Sequence, residues 1–214
     1  MSRGAARLKH AGARHKLLEA AITVIRAKGY EAASVDELCA EAGVAKGSFF
    51  YHFESKEALA VATANYWSET TSAYWASAPY HIVKDPLDRL LAYVAFRKAA
   101  MAGTVREFSC LAGMMVQEVY ETSAAIREAC NASIAGHART IEVDIADAIE
   151  RYGVSDGITA KSLAIHIQVI VQGTIVLAKA GGDLAAAVDS LDHLQRYLTM
   201  VFQKNGRQVE PTTA

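Results

Sequence analysis

An all-α fold is predicted by three observations. Apolar residues recur at three- and four-residue spacing along most of the chain, strand-like alternation is nearly absent, and only three prolines interrupt 214 residues. Apolar residues make up 52%, ample for a real core. The length suits one helical domain or a small module followed by a larger one. The net charge of −1 is uninformative, but its distribution is not: residues 1–56 hold nine Lys/Arg against six Asp/Glu, and residues 57–214 hold thirteen against seventeen. A basic end on an acidic body suits a nucleic-acid-reading head on a separate effector body. Arg3, Arg7, Lys9, Arg14 and Lys16 face no acid within the first eighteen residues. Met1 to about Ala11 reads either as a basic arm or as a solvated, disordered tail.

About nine helices are expected. The first runs from about Ala11 to Lys28, with Leu18, Ala21, Ile22 and Ile25 on one face and Gly29 as its C-cap. Ser34 followed by Glu37 is a capping-box signature opening a short helix, Val35 to Ala42. Gly43 supplies a turn, and a second short helix covers roughly Lys46 to Phe50, closed by His52 and Phe53. Ser55 caps a fourth helix reaching Ala76. Ala-Pro at 78–79 and Asp-Pro at 85–86 bracket a loop, because the residue before proline resists the α region. Further helices are expected from Leu87 to near Gly103, Phe108 to Tyr120, Ser123 to Tyr152, Thr159 to Ala180, and Leu184 to about Phe202, where Asn205-Gly206 ends the last. The acids of the long helix, such as Asp144 and Asp147, read as its solvated face.

Two short helices joined by a glycine-containing turn form the helix-turn-helix pattern, whose second helix enters the DNA major groove. No GxSxG, HExxH, P-loop or GxGxxG occurs, so an enzyme is not expected, and neither a cofactor nor a metal is called for. No apolar core follows the early arginines, and the most apolar stretch, Ala164 to Ala180, is too short for an untilted span. A soluble, cytoplasmic protein is expected.

The run RHKLLEAAITVIRAKGYEAAS followed by SVDELCAEAGVAKGSFFYHFESKEAL resembles the amino-terminal domain of TetR-family transcriptional regulators, over about residues 13–67. The resemblance implies a homodimer with a DNA-binding domain at 1–56 and a ligand-binding and dimerisation domain at 57–214. It implies a repressor that leaves a pseudo-palindromic double-stranded operator when a small-molecule inducer binds. DNA contacts carry over onto Ser34, Ala45, Lys46, Gly47, Ser48, Phe50, Tyr51, His52 and Lys56. Lys46 and Lys56 are candidates for phosphate, Ser48 for a base edge, and Tyr51 and His52 for the backbone. Phe49 and Phe53 read as core. Ala45 stands where many members place a Ser or Thr cap, Phe50 where Tyr is frequent, and Glu54 where Lys is common. Backbone grip should therefore lean on Lys46, Tyr51, Lys56 and the basic arm.

For the body, candidate ligand-lining residues are Tyr66, Trp67, Tyr93, Phe96, Phe108, Met114, Met115, Tyr120, His137, Ile141, His166 and Gln168. His137 and His166 are expected to face inward, with Glu118 near. The last two helices carry more apolar surface than one small body should bury, so two copies would form a four-helix bundle. Ile170, Gly173, Leu177, Leu191, Leu194 and Leu198 are the candidate interface. Alternative bodies would bind a protein partner or sense redox through Cys110 and Cys130.

Overall fold

The computed structural model describes residues 2–154, 157–182 and 184–203, and among them it is helical with no strand. Ten helices occur: α1 (Ser2–Lys28), α2 (Val35–Ala42), α3 (Lys46–His52), α4 (Lys56–Ala76), α5 (Pro86–Ala99), α6 (Val105–Phe108), α7 (Leu111–Val119), α8 (Ala124–Tyr152), α9 (Ala160–Gly181) and α10 (Ala185–Gln203). A 3₁₀ turn, Pro79–Ile82, precedes α5 between the two prolines. The expected stop at Asn205-Gly206 lies outside the described residues, as do the side chains of Arg3, Arg7 and Lys9.

Three boundaries differ from expectation, the simplest being the end of α5, at Ala99 rather than near Gly103. Helix α1 begins at Ser2 rather than near Ala11, since Ala5 to Lys9 are good helix formers and Gly12 weakens a helix without stopping it. The tenth helix is α6, which separates Phe108 from the helix it was expected to start. Glu107 accepts hydrogen bonds from the Thr104 N–H (2.6 Å) and the Thr104 hydroxyl (2.9 Å), which opens a new turn after Gly103. Cys110 then caps α7, its sulfur accepting from the Gly113 N–H.

The chain divides into two compact units, residues 1–73 with 109–134 and residues 74–108 with 135–214. In the first, Leu17, Ala21 and Ile25 of α1 meet Leu38 of α2, Phe49 of α3, Leu59 of α4, Leu111 and Met115 of α7, and Ile126 of α8 in one buried cluster. Phe49 and Phe53 belong to this core, as their spacing predicts. In the second unit α10 packs on α9 and α5, and α6 on α9. Leu90, Tyr93, Ile141, Ile145, Ile167, Val171, Leu191, Leu194, Leu198 and Phe202 are buried there. Asp144 departs from the solvated face expected of it. It is mostly buried and accepts from Arg89 Nε at 2.7 Å, while the more exposed Asp147 accepts from Arg89 Nη2 at 3.1 Å. Arg89 lies 55 residues from Asp144, so no local pattern shows the pair. Helix α9 is long and apolar enough by composition to cross a membrane, but Leu163, Ile167, Val171 and Ile175 are buried inside this unit, which accounts for its apolarity.

Candidate nucleic-acid interface

The geometry of the α2–turn–α3 segment follows from its caps. Ser34 is extended at φ −94°, ψ 154°, and both halves of the capping box form: the Glu37 N–H donates to Ser34 Oγ, and the Ser34 N–H donates to Glu37 Oε2 at 3.0 Å. Lys28 also donates to Glu37. Together the Lys28 and Ser34 bonds hold the Glu37 carboxyl down to about 2. Gly43 takes the left-handed conformation at φ 61°, where its N–H meets the Ala40 and Cys39 carbonyls and ends α2. Only a residue without Cβ adopts this easily. Ala45 is the N-cap of α3 and makes no side-chain cap bond, as its identity requires.

Helix α3 is thereby turned so that Phe49 is wholly buried while Phe50 and Tyr51 stand 54% and 69% exposed. Two large aromatic rings facing water on one short helix are the mark of a contact surface rather than of a core. Lys46 and Gly47 are exposed beside them, and a Cβ at Gly47 would meet nothing within 4 Å. Lys46 Nζ pairs with Asp36 at 2.7 Å, both side chains well exposed, a contact of little net worth that a phosphate can replace. Ser48 is half-buried, and His52 packs edge-on against Tyr51 at 4.9 Å.

Two residues outside α3 hold this unit's frame. Lys56 Nζ donates to the carbonyls of Tyr30 (3.1 Å), Glu31 (3.3 Å) and Ala33 (3.0 Å), and stands 4.3 Å from the Tyr30 ring centroid. Its three donors are thus all engaged by the α1–α2 loop. Glu118, on α7, accepts from the Tyr30 N–H (3.1 Å) and the Glu31 N–H (2.8 Å) of the same loop. Neither tie has a local sequence signal, because the partners are 26 and 88 residues apart. Glu118, expected near His137 and His166, is instead engaged by this loop. Arg14 lies over Phe53 at 5.5 Å, adding a cation on the same unit.

The residues singled out for the body fall into the two units separately. In the first unit, Tyr66 donates to Glu19, Trp67 lies under Arg26 at 5.0 Å, Met115 is core, Met114 is half-buried and Tyr120 is exposed. In the second unit, Tyr93, Phe96, His137 and Gln168 converge, with Ile141 buried and Phe108 half-buried. Tyr93 Oη lies 2.9 Å from His137 Nε2, 3.1 Å from Arg97 Nε and 3.5 Å from Gln168 Nε2. Trp75 faces Phe96, His137 and Arg97 at 5.5, 5.3 and 4.3 Å. The arginine and Trp75 carry no motif, which is why sequence reasoning passed over them. Burial and then the Arg97 charge push the His137 imidazole down to about 3. His166 does not join its expected partner: it is exposed and lies 5.1 Å from the Tyr197 ring. A separate open groove of about 630 Å³, lined by Leu91, Asp192, Gln195, Arg196, Thr199 and Met200, holds none of the expected lining residues.

Of the expected interface residues, Leu191, Leu194 and Leu198 are buried within the protomer, whereas Leu177 (57% exposed) and Gly173 face out and Ile170 is half-buried. Ile165, Val169, Val176, Tyr197 and Met200 are also exposed on α9 and α10.

Comparison with known proteins decides the affiliation. Residues 17–63 match the model of bacterial regulatory proteins of the tetR family, and residues 86–194 match the tetracyclin repressor-like C-terminal domain. The chain belongs to the TetR family. It is a helix-turn-helix, DNA-binding transcriptional regulator. The HTH-type transcriptional regulator LmrA of Bacillus subtilis is 24% identical over 172 residues, 80% of this chain and 88% of its own length. A TetR-family transcriptional regulator from Agrobacterium tumefaciens superposes with a TM-score of 0.77 at 21% identity, covering 88% of this chain and 98% of that one. The regulator FadR from Bacillus subtilis, solved with stearoyl-CoA, superposes with a TM-score of 0.69 at 16% identity, covering 86% and 96%. These TetR-fold likenesses extend over both units, so the body as well as the head has the family architecture.

Proposed function

We propose that this TetR-family regulator is a homodimeric repressor that leaves its operator when a small molecule binds the body. Residues 1–56 read double-stranded DNA, and residues 57–214 bind ligand and dimerise. The observation that carries the DNA reading is the outward face of α3, where Lys46, Gly47, Phe50 and Tyr51 are exposed over a buried Phe49. Lys46 and Tyr51 grip phosphate, and Ser48 and Phe50 meet base edges. Lys56, with its donors engaged by backbone carbonyls, acts by fixing the α1–α2 loop. The homologues are transcriptional regulators, and the chain is read as a cytoplasmic regulator without catalysis. Two copies pair through the exposed residues of α9 and α10, with Ile170, Gly173 and Leu177 in contact and Leu191, Leu194 and Leu198 supporting them from the core.

Helix α4 is the proposed transmission element. It is continuous from Lys56 to Ala76, roughly 30 Å at 1.5 Å per residue, and carries Lys56 near one end and Trp75 near the other. Ligand bound near Trp75 shifts α4 and changes the separation of the two heads. A coupling of about 1–3 kcal/mol, five- to 150-fold in operator affinity, is ordinary for such switches. A small-molecule body is supported by the polar cluster around Tyr93 and by the fold shared with FadR, which was solved with stearoyl-CoA. The redox alternative is disfavoured, because Cys130 is fully buried and its thiol is pushed up to about 12 by burial and then by Cys110. A reactive cysteine needs the opposite environment. The direct test of the head is fluorescence anisotropy on operator DNA with Lys46→Ala. Affinity should fall and the salt slope should drop by about one unit; unchanged binding refutes the head assignment.

A further inference from the structure

We propose that the second unit carries an anion-receiving site centred on Arg97, built for a small hydrophobic carboxylic acid. The inference rests on the reading of the body as ligand-binding and specifies the chemistry of that ligand. Arg97 is half-buried, yet among the described residues it forms no ion pair. Acids of the same unit have other cationic partners. Asp144 and Asp147 pair with Arg89, and Asp192 pairs with Lys98 at 2.7 Å. A partly desolvated cation without a counter-ion is unfavourable until an anion arrives.

The guanidinium is nonetheless held in one pose. Its Nε donates to Tyr93 Oη at 3.1 Å, and its carbon stands 4.3 Å from the Trp75 centroid and 5.7 Å from that of Tyr93. Tyr93 Oη receives N–H groups from Arg97 and, at 3.5 Å, from Gln168, so its own proton goes to His137 Nε2 at 2.9 Å. That chain requires His137 to be neutral with its proton on Nδ1, and its lowered pKa keeps it so. Tyr93, His137 and Gln168 are thus positioning residues. They occupy Nε and leave the two terminal nitrogens without a hydrogen bond among the described residues. A carboxylate meets these as a two-point acceptor, the strongest pairing an arginine offers.

The rest of the ligand is defined by the rings. Trp75 and Phe96, 5.5 Å apart and edge to face, are both only half-buried, so a flat or flexible apolar body can lie against them. One arginine among aromatic rings matches a singly charged, largely apolar acid. A phosphate, with up to two charges, needs more cations than the cluster contains.

The test uses full-length protein with 4-phenylbutyrate and its neutral analogue 4-phenylbutyramide, followed by calorimetry and by fluorescence of the two tryptophans, Trp67 and Trp75. The acid should bind at least about tenfold more tightly than the amide, the equivalent of one charge-assisted contact. Arg97→Gln should abolish that preference by weakening the acid and leaving the amide nearly unchanged. Arg97→Lys, which keeps the charge and loses the fork, should retain part of it; circular dichroism checks that each variant folds. Equal binding of acid and amide by the wild type overturns the proposal. So does failure of the acid to bind at millimolar concentration, or a preference that survives Arg97→Gln. In all three cases release of operator DNA by a panel of neutral hydrophobic compounds is measured separately: release sinks only the acid specificity and leaves the ligand-binding body standing, whereas no release refutes the ligand-binding reading as well.

Discussion

At the scale of single residues, His137 and Glu118 show how much of this protein depends on contacts remote in sequence. With its folded pKa down at about 3 against the usual 6.5, His137 favours the neutral ring. The unfolded chain therefore binds a proton that the folded chain refuses. The resulting stability is fully present above about pH 6.5 and is lost as pH falls towards 3, by up to about 1.4 kcal/mol for each pH unit. Urea denaturation across that range should show the slope, and His137→Gln should flatten it; an unchanged slope would mean the ring is not held neutral by burial. At Gly29, φ is +94° and an added Cβ would lie 2.6 Å from Glu118 Oε1. Gly29→Ala should thus both strain the backbone and displace the carboxylate that caps the Tyr30 and Glu31 N–H groups. Glu118→Ala should destabilise by about 1.5–3 kcal/mol per charge-assisted bond lost, read from chemical denaturation midpoints. His137 was expected to face inward and does, packed against Tyr93, but the role of Glu118 was not legible. Glu118 was placed with the histidines, because nothing local in VQEVYE reveals that it reaches back 87 and 88 residues. His166 misled for a related reason: its helix is apolar nearly all round, so the side it faces cannot be read from periodicity.

Among the elements, the α2–turn–α3 segment was the most legible, because its information is local. Ser34, Glu37 and Gly43 each satisfy named backbone groups within three or four residues, and every one of those bonds is present. Ser34→Ala should lower stability by about 1 kcal/mol, whereas Ala45→Ser should add a cap to α3 and raise it by a similar amount. Thermal midpoints of the two variants moving in opposite directions would confirm the assignment; no rise for Ala45→Ser would show that the α3 terminus cannot use a side-chain cap. The stretch between Ala99 and Leu111 was harder. Its signal, a Thr104–Glu107 turn followed by a cysteine cap, is weaker than a Pro or Ser boundary, so α6 was left between the helices expected to end near Gly103 and to begin at Phe108. In α10 the periodic leucines were correctly seen as a stripe. Periodicity, however, does not distinguish the core of one protomer from the seam between two. Leu191, Leu194 and Leu198 lie inside the protomer, and the outward positions are instead Leu177, Val169 and Val176 on α9 with Tyr197 and Met200 on α10.

For the whole molecule, the exposed apolar set on α9 and α10 is the basis of the proposed pairing of two copies, which would set the distance between recognition helices. Leu177→Glu with Val169→Glu should yield a monomer in sedimentation without loss of helicity, because both side chains are exposed in the protomer. A variant still dimeric would place the interface elsewhere. The proposed function stands on α3 reading DNA as one half of a two-fold pair. It is tested most directly by selecting duplexes from a randomised pool with the full-length protein and sequencing what is retained. Dimeric recognition predicts enrichment of a pseudo-palindrome whose half-sites lie about one helical turn apart, roughly 34–36 Å, or a multiple of it, and loss of that enrichment with Tyr51→Ala. A pool that emerges without two-fold symmetry, or one enriched equally by the Tyr51→Ala protein, would contradict it.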